Sequence, residues 1–129
     1  HKIHNIRIRQ FRDKLIKNIL KVIPDANLNG SAVYRLPNNV NISFRGAEGE
    51  AIVIALDQKG IAASTGSACS SKSLEPSHIL LAMGFSEEEA HGSLRITLGR
   101  PTTQEEIDKL LKVLPPIIQK LRQISGYQL

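Results

Sequence analysis

The single cysteine of the chain, Cys69, lies in a segment of small polar residues, 64–78, that reads STGSACSSKSLEPSH. Such residues cannot form a core, whereas a free cysteine is usually buried and inert. A thiolate is a strong nucleophile, and even a thiol of ordinary pKa supplies some thiolate at neutral pH. The pattern fits an accessible sulfur that carries a group between two sites. The alternative is a surface loop in which one small residue happens to be cysteine.

Two phosphate chemistries fit this segment less well. Residues 66–73 approach the phosphate-loop pattern G-x-x-x-x-G-K-[ST], but Ser71 replaces the second glycine, where the backbone must wrap closely around phosphate. Glu75 and Pro76 then stand where a long helix should follow. A cysteine phosphatase needs an arginine six residues after its nucleophile to bind phosphate oxygens, and position 75 is glutamate. A phosphate loop is therefore a weak alternative, and the phosphatase is rejected.

Length, cysteine content and charge narrow the class of protein. The 129 residues suffice for one domain, and one cysteine cannot form an internal disulfide. With no apolar run of transmembrane length and no signal peptide, we expect a reducing, cytoplasmic setting and no membrane contact. The net charge is +5, and residues 1–23 hold seven basic residues against one acidic residue. No aromatic residues are interleaved for base stacking, so a solvated face or an acidic partner is favoured over nucleic acid.

The first half of the chain contains an amphipathic helix, a strand and a second helix. Helical spacing over residues 6–23, ended by Pro24, places one set of apolar residues on one face: Ile8, Phe11, Leu15, Ile19, Val22 and Ile23. Residues 25–30 are typical of a turn, and apolar and polar residues alternate over 39–44 as in a half-buried strand. Residues 47–60 contain IVIAL, which suits a strand, but the acidic start and the closing glycine favour a helix. A short strand is predicted at 61–63.

The second half predicts two short helices, a strand and a long helix. Pro76 suits the first turn of a helix over 76–83, and Ser86 and Glu89 have capping-box spacing for another. SLRITL, 93–98, alternates cleanly as a strand. A second capping box, at Thr103 and Glu106, begins the last helix, and prolines at 115 and 116 should kink or interrupt it. The fold class is therefore α+β: a small antiparallel or mixed sheet packed with helices.

Two long stretches resemble one enzyme family. RLPNNVNISFRGAEGEAIVIALDQKGIAASTGSACSSKSLEPSHILLAMG and AHGSLRITLGRPTTQEEID are similar to the C-terminal part of cysteine desulfurases of the NifS/IscS type, which are class-V aminotransferases. The resemblance begins near Arg12 and covers nearly all of the chain. It implies the small domain of a fold-type I pyridoxal-phosphate enzyme. We therefore expect a basic linking helix over 1–24 and a small α+β domain over 25–129, with the catalytic cysteine loop at 64–76.

The same resemblance implies an activity and three site residues. Such enzymes convert L-cysteine to L-alanine and keep the sulfur as a persulfide on a loop cysteine, here Cys69. They pass the sulfur to an acceptor, typically an iron–sulfur scaffold protein, and they work as homodimers. Arg95 matches the arginine that binds the substrate carboxylate. Its place on the polar face of a strand supports this role, because a guanidinium can hold a carboxylate with two bonds, although a surface ion pair is the alternative. Asn41 matches a position beside the active site, or serves only the structure.

The cofactor lysine of the family is not matched with this sequence. HKIH at residues 1–4 is similar to the lysine motif, but NIRIRQ follows where a glycine-rich turn should stand, so Lys2 is not assigned. We expect a domain of a desulfurase without its cofactor-binding part. Alone, it should neither bind pyridoxal phosphate stably nor form alanine from cysteine. The alternative is a stand-alone persulfide carrier or partner-binding module.

The four histidines predict no metal site. His78 and His91 have the positions of surface or capping residues. His1 and His4 form a pair at the chain end without further ligands. No metal is expected from spacing, although Cys69 could transiently ligate a cluster shared with a scaffold protein.

Overall fold

The computed structural model describes residues 2–29, 39–65, 93–98 and 102–128. Within these ranges, helices α1, α2 and α3 span Lys2–Val22, Gly49–Gln58 and Gln104–Ser125. Strands β1, β2, β3 and β4 span Ala26–Leu28, Asn39–Phe44, Ser64–Thr65 and Ser93–Thr97. The predicted α+β class, with a long helix at each end, is confirmed.

The four strands form one sheet in the order β1-β2-β4-β3, and every neighbouring pair is antiparallel. The register pairs Val40 with Ile96 on one face of the sheet, and Asn41 with Arg95 on the other. Because side chains alternate between the faces of a strand, the sheet has one apolar and one polar face. The predicted alternation over 39–44 and 93–98 is confirmed.

The core lies between the apolar face of the sheet and the three helices. A single cluster of buried side chains joins all of these elements. Its members from the helices are Ile8, Phe11, Leu15, Ile19, Ile52, Leu56, Ile107, Leu110, Leu114 and Ile118, and Ile23 joins them directly after the end of α1. The sheet adds Val40, Ile42, Phe44, Leu94 and Ile96. Burial of these side chains, which are mostly aliphatic, stabilises the fold.

Helix α1 packs as its apolar spacing predicts, with one exception. It begins at Lys2, before the expected start at residue 6, and it ends at Val22, two residues before Pro24. The sequence placed Val22 on the apolar face, but its side chain is 57% exposed and is not part of the core, so this assignment is wrong. Its neighbour Ile23 is buried instead. The last turn of the helix therefore presents two apolar side chains to solvent, Leu20 and Val22.

The segment 47–60 is a helix, as predicted, although it is shorter. Helix α2 buries Ile52 and Leu56. Gly60 follows the helix with a φ of +81°, a conformation that favours glycine. Its N–H donates to the carbonyl of Asp57, and the N–H of Ile61 donates to that of Leu56, both at 2.9 Å. The glycine cap that the sequence indicates is thus formed.

Helix α3 runs without interruption through Pro115 and Pro116, so of the two outcomes expected for these prolines, a kink or an interruption, the interruption does not occur. Each proline lacks an N–H, and the carbonyls that lose a donor are those of Leu111 and Lys112. Leu111 is half-buried and Lys112 is exposed, so water can replace the missing bonds. Burial of Leu114 and other side chains of this stripe on both sides of the prolines holds the helix on the core.

The ends of α3 have defined caps. At the start, the hydroxyl of Thr103 accepts a bond from the backbone N–H of Glu106 at 3.2 Å, which confirms the predicted cap. At the end, Gly126 has a φ of +77°, and the N–H of Tyr127 donates to the carbonyl of Arg122 at 3.0 Å. The helix is therefore closed by a second left-handed glycine.

The two shortest strands differ from the sequence-based expectations. Residues 25–30 were expected to form a turn, but Ala26–Leu28 pair with β2 as an edge strand. The strand expected at 61–63 is found at Ser64–Thr65, paired with β4. Pairing with a neighbouring strand, rather than local preference, defines segments this short. The helices predicted after Pro76 and Ser86 lie outside the described residues.

A polar cluster holds the end of α3 against the sheet. We call Asp25, Arg45, Arg122 and Tyr127 the C-terminal cluster. Arg122 is 6% exposed and donates to the backbone carbonyls of Arg45 at 2.7 Å and Asp25 at 3.2 Å. Burial lowers the pKa of its guanidinium. The hydroxyl of Tyr127 donates to the Asp25 carboxylate at 2.5 Å, and this bond raises the pKa of the tyrosine.

Candidate functional site

Three polar side chains lie in a row across the polar face of the sheet. Arg95 on β4 is the register partner of Asn41 on β2 and of Ser64 on β3. Directly opposed residues on neighbouring strands have Cβ atoms about 5 Å apart. The structure therefore brings together two of the residues that the sequence singles out, Arg95 and Asn41. It adds Ser64, which the sequence did not single out.

Arg95 is half-buried, and its guanidinium is tied to the neighbouring strand. Its Nε donates to the hydroxyl of Ser64 at 3.2 Å. Within the described ranges, neither Nη1 nor Nη2 donates to another residue, and no carboxylate forms an ion pair with the guanidinium. The strand thus holds a cation whose two terminal nitrogens can bind an anionic group. A carboxylate suits this planar pair of donors.

Asn41 is part of a buried hydrogen-bond network on the same face. We call Asn29, Asn41, Ser43 and Ser93 the amide–serine network. The Asn41 side-chain oxygen accepts from the amide of Asn29 at 2.9 Å and from the hydroxyl of Ser93 at 2.6 Å. Its amide nitrogen has no bond to another described side chain. Asn41 is therefore fixed in orientation by its oxygen, and its N–H groups remain as donors.

Asn29 is the centre of this network, and the sequence did not identify it. It is 6% exposed, and its amide donates to the Ser43 hydroxyl at 2.9 Å. The Ser43 hydroxyl donates back to the Asn29 oxygen at 3.1 Å. The backbone N–H of Asn29 also donates to the carbonyl of Asn41 at 2.8 Å, which continues the β1–β2 pairing. Its signal in the sequence is only an asparagine after a very short strand, a position typical of turns.

The buried serines explain how polar groups are tolerated at this point of the sheet. Ser43 and Ser93 are register partners and are almost fully buried. A buried hydroxyl without a partner would destabilise the fold by about 1–3 kcal/mol. Bonds within the amide–serine network remove that cost and hold β1, β2 and β4 in one register. The network thus positions the strand that carries Arg95.

The other residues of interest lie outside this face. Cys69, His78 and His91 lie outside the described residues. Lys2 begins α1, and its side chain is not described. Within the described ranges, no group of three or more histidine, cysteine or carboxylate side chains comes together to hold a metal ion. No helix of the described part is long and apolar enough to cross a membrane.

The two larger cavities of the described region are separate from the polar face. One, of about 570 Å³, lies between the ends of α1 and α3 beside Pro24, Pro115 and Tyr127. The other, of about 500 Å³, lies between β4, α3 and the segment after α2. Neither is lined by Asn41, Ser64 or Arg95. The row on the sheet therefore lies outside both of these cavities.

The described residues do not by themselves fit pyridoxal phosphate, which the resemblance implies. The polar face offers one guanidinium, amides and hydroxyls, which suit carboxylate or phosphate oxygens. None of its described residues is a lysine that could form the covalent link, since the strand residues of this face are Asn, Ser, Thr and Arg. These residues can bind the anionic end of a substrate. They cannot attach the cofactor.

The sequence is similar to that of several curated enzymes. The chain is 57% identical over 119 residues to cysteine desulfurase IscS 1 of Archaeoglobus fulgidus, covering 92% of this chain and 31% of that protein. It is 50% identical over 123 residues to cysteine desulfurase NifS of Azotobacter vinelandii, covering 95% of this chain and 31% of that protein. The chain thus spans less than a third of the length of these relatives.

A solved structure and a family model complete the comparison. The fold matches the X-ray structure of a NifS-like protein from Rickettsia africae with a TM-score of 0.76 and 31% sequence identity, covering 90% of this chain and 29% of that chain. The model of class-V aminotransferases matches residues 2–110, which is most of the sequence. The protein therefore belongs to the class-V aminotransferase family.

Proposed function

We propose that this chain is the small domain of a cysteine desulfurase, and that it binds the substrate carboxylate and accepts the sulfur. The observation that carries the proposal is Arg95, a half-buried cation on the polar sheet face whose Nη1 and Nη2 bind no other described residue. The high identity to proteins named cysteine desulfurases supports the reaction class. Arg95 would bind the α-carboxylate of L-cysteine with two charge-assisted bonds.

Asn41 would complete the substrate side of the site. Its oxygen is engaged by Asn29 and Ser93, which leaves its amide N–H groups as the donors that could bind substrate. It stands directly opposite Arg95 in the register. An amide donor at this point can add one bond to the substrate without adding charge. Asn41 would therefore position the substrate, whereas Arg95 would provide most of the binding energy.

Cys69 would accept the sulfur. It follows Ser64 by five positions in the sequence, after the end of β3. In the proposed transfer, the Cys69 thiolate forms a bond to the sulfur of L-cysteine, and the bond between that sulfur and the β-carbon breaks. The carbon keeps the electron pair and takes up a proton, which gives L-alanine, and Cys69 becomes a persulfide. The reaction needs no external oxidant or reductant.

Several parts of this function would lie outside the chain. Pyridoxal phosphate, when bound, supplies the electron sink that makes the β-carbon reactive. Its lysine would belong to a part of the complete protein that these residues do not include. The persulfide would pass to an acceptor such as an iron–sulfur scaffold protein, in the cytoplasm. The complete protein would be a homodimer of which residues 1–24 form the linking helix and residues 25–129 the small domain.

The proposal is tested on the complete protein by three variants. Arg95→Lys keeps the charge but loses the planar pair of donors, so the KM for L-cysteine should rise by about tenfold or more. Arg9→Lys, an exposed position on α1, is the matched control and should leave KM unchanged. Cys69→Ser should abolish alanine formation. A complete protein that accepts persulfide on Cys69 but never forms alanine would instead be a sulfur carrier, and the proposal would be wrong.

A further inference from the structure

The hydroxyl of Ser64 accepts a hydrogen bond from one particular nitrogen of the Arg95 guanidinium, Nε. Nε of Arg95 lies 3.2 Å from the Ser64 oxygen, and the two residues are register partners on β3 and β4. Both side chains are half-buried. Ser64 is one of only two residues in β3. The bond therefore joins the cationic group of the candidate site to an edge strand of two residues.

The position of this bond determines how the arginine can bind an anion. A guanidinium can hold a carboxylate end-on, through Nη1 and Nη2, or side-on, through Nε and one Nη. The side-on arrangement needs the N–H of Nε, which Ser64 engages. Only the end-on pair remains free of described partners. A fixed guanidinium also loses less rotational freedom when it binds, because part of that freedom is already restricted.

We propose that Ser64 is a positioning residue for the substrate site: it holds Nε of Arg95 and so restricts the guanidinium to end-on binding of a carboxylate. The inference rests on the proposed function for the identity of the substrate, L-cysteine. Ser64 does not touch the substrate. It acts through Arg95, and its effect is on substrate affinity rather than on the chemical step.

A comparable hydroxyl on the same face provides the control. Thr97 lies two residues from Arg95 on β4, and its hydroxyl donates to the side chain of Asn39 on β2 at 3.2 Å. This bond also joins two strands on the polar face, but it does not involve the arginine. If Ser64 served only to hold the sheet together, removal of either hydroxyl would have similar effects. If Ser64 positions Arg95, only its own removal changes carboxylate binding.

The first test is kinetic and uses the complete protein with L-cysteine. Ser64→Ala should raise KM by about fivefold, the loss of one ordinary hydrogen bond, with kcat unchanged within about twofold. Ser64→Thr keeps a hydroxyl and suits a strand, so it should restore KM. Thr97→Ala should leave both constants unchanged. An unchanged KM in Ser64→Ala, an equal rise in Thr97→Ala, or no rescue by threonine would each overturn the proposal.

The second test is independent of desulfurase activity. In protein labelled with ¹⁵N-arginine, the Nε–H resonance of Arg95 is assigned by its loss in Arg95→Lys. Sodium acetate, as a carboxylate probe, should shift the Nη resonances and leave Nε–H in place. In Ser64→Ala, acetate should also shift the Nε–H resonance, and the Nε proton should exchange faster with solvent. Acetate shifting Nε–H in the wild type, or shifting no Arg95 resonance at all, would overturn the proposal.

The two tests separate the two proposals. A complete protein that never acts on L-cysteine would refute the proposed function. The acetate experiment would then still decide whether Ser64 restricts Arg95 to end-on binding. Conversely, active enzyme with an unchanged KM in Ser64→Ala would refute the role of Ser64 and leave the proposed function standing.

Discussion

The side chain of Arg122 donates through Nε to the backbone carbonyl of Arg45, 77 positions earlier in the sequence, at 2.7 Å. A second bond from its Nη2 reaches the carbonyl of Asp25 at 3.2 Å, and its guanidinium carbon lies 5.4 Å from the centre of the Tyr127 ring. One buried arginine thus joins the end of α3, the turn after β2 and the turn before β1. The C-terminal cluster thus fixes the last helix on the sheet through bonds from Arg122 to backbone carbonyls.

Replacing Arg122 should destabilise the fold strongly. Arg122→Ala takes the side-chain donor from the carbonyl of Arg45 and one of two donors from the carbonyl of Asp25, and it removes a buried side chain. We expect a loss of about 2–4 kcal/mol in the free energy of unfolding, measured by urea denaturation. Lys120→Ala, an exposed position on the same helix, should change it by no more than about 0.5 kcal/mol. Equal effects of the two variants would contradict this assignment.

Gly46 should not tolerate a side chain. Its φ is +79°, and an added Cβ would overlap the ring of Tyr127. Gly126 has a similar φ of +77°, but an added Cβ would meet nothing within 4 Å. Gly126→Ala should therefore lower the free energy of unfolding by only about 1 kcal/mol, because alanine disfavours the left-handed backbone. Gly46→Ala should lower it by several kcal/mol, because the added Cβ also overlaps the ring. Thermal unfolding of both variants measures the difference, and similar melting temperatures would show that the overlap is relieved without cost.

The bond between Tyr127 and Asp25 should make stability depend on pH in the alkaline range. The bond raises the pKa of Tyr127 above its ordinary value of 10.0. Its contribution is therefore fully present below pH 10.0 and is lost as the pH rises through the raised value. Wild-type stability should fall more steeply above this pH than that of Tyr127→Phe, as measured by urea denaturation from neutral to alkaline pH. Parallel curves would show that the hydroxyl does not contribute.

Removing Asn29 should weaken the amide–serine network as a unit. Asn29→Ala takes donors from Asn41 and Ser43, and we expect a loss of about 1–3 kcal/mol in the free energy of unfolding. Asn27→Ala, an exposed position on β1, is the control and should have little effect. The double variant Asn29→Ala/Ser43→Ala should lose less free energy of unfolding than the sum of the losses in the two single variants, because the two side chains share bonds. Strict additivity would mean that they act independently.

The chain alone should lack desulfurase activity. The described polar face holds no lysine for the cofactor, and we expect no stable pyridoxal-phosphate complex after gel filtration. Alanine formation from L-cysteine, measured by chromatography in the presence of free cofactor, should not exceed that of the cofactor alone. A chain that retains the cofactor and forms alanine at enzymatic rates would refute this prediction. Lys2→Ala would then show whether Lys2 provides the link.

Patterns with a strong local signal predicted much of the fold. The alternation over 39–44 and 93–98 identified the two central strands and which side chains share the polar face. Helix ends were marked by Pro24, Gly60 and Thr103, each through a definite effect on the backbone. Arg95 was identified through the family resemblance and through its place on the polar face. The roles of Arg95 and Cys69 remain predictions.

The remaining features depend on contacts between distant parts of the chain. Strands β1 and β3 have three and two residues, too few for a periodic pattern, and are defined by their neighbours. Asn29 and Ser64 became recognisable only when the strands placed them beside Asn41 and Arg95. Tertiary packing also kept α3 continuous through its two prolines, which a rule based on local sequence could not predict.

The long sequence separation within the C-terminal cluster has a consequence for synthesis on the ribosome. Residues 25 and 45 leave the exit tunnel long before Arg122 and Tyr127 are translated. Until then, the apolar face of the sheet lacks the cover of α3, and the carbonyl of Arg45 after β2 lacks the side-chain donor of Arg122. Non-local contacts of this kind slow folding and expose apolar surface in the growing chain. The growing chain should therefore expose this apolar face until α3 has emerged.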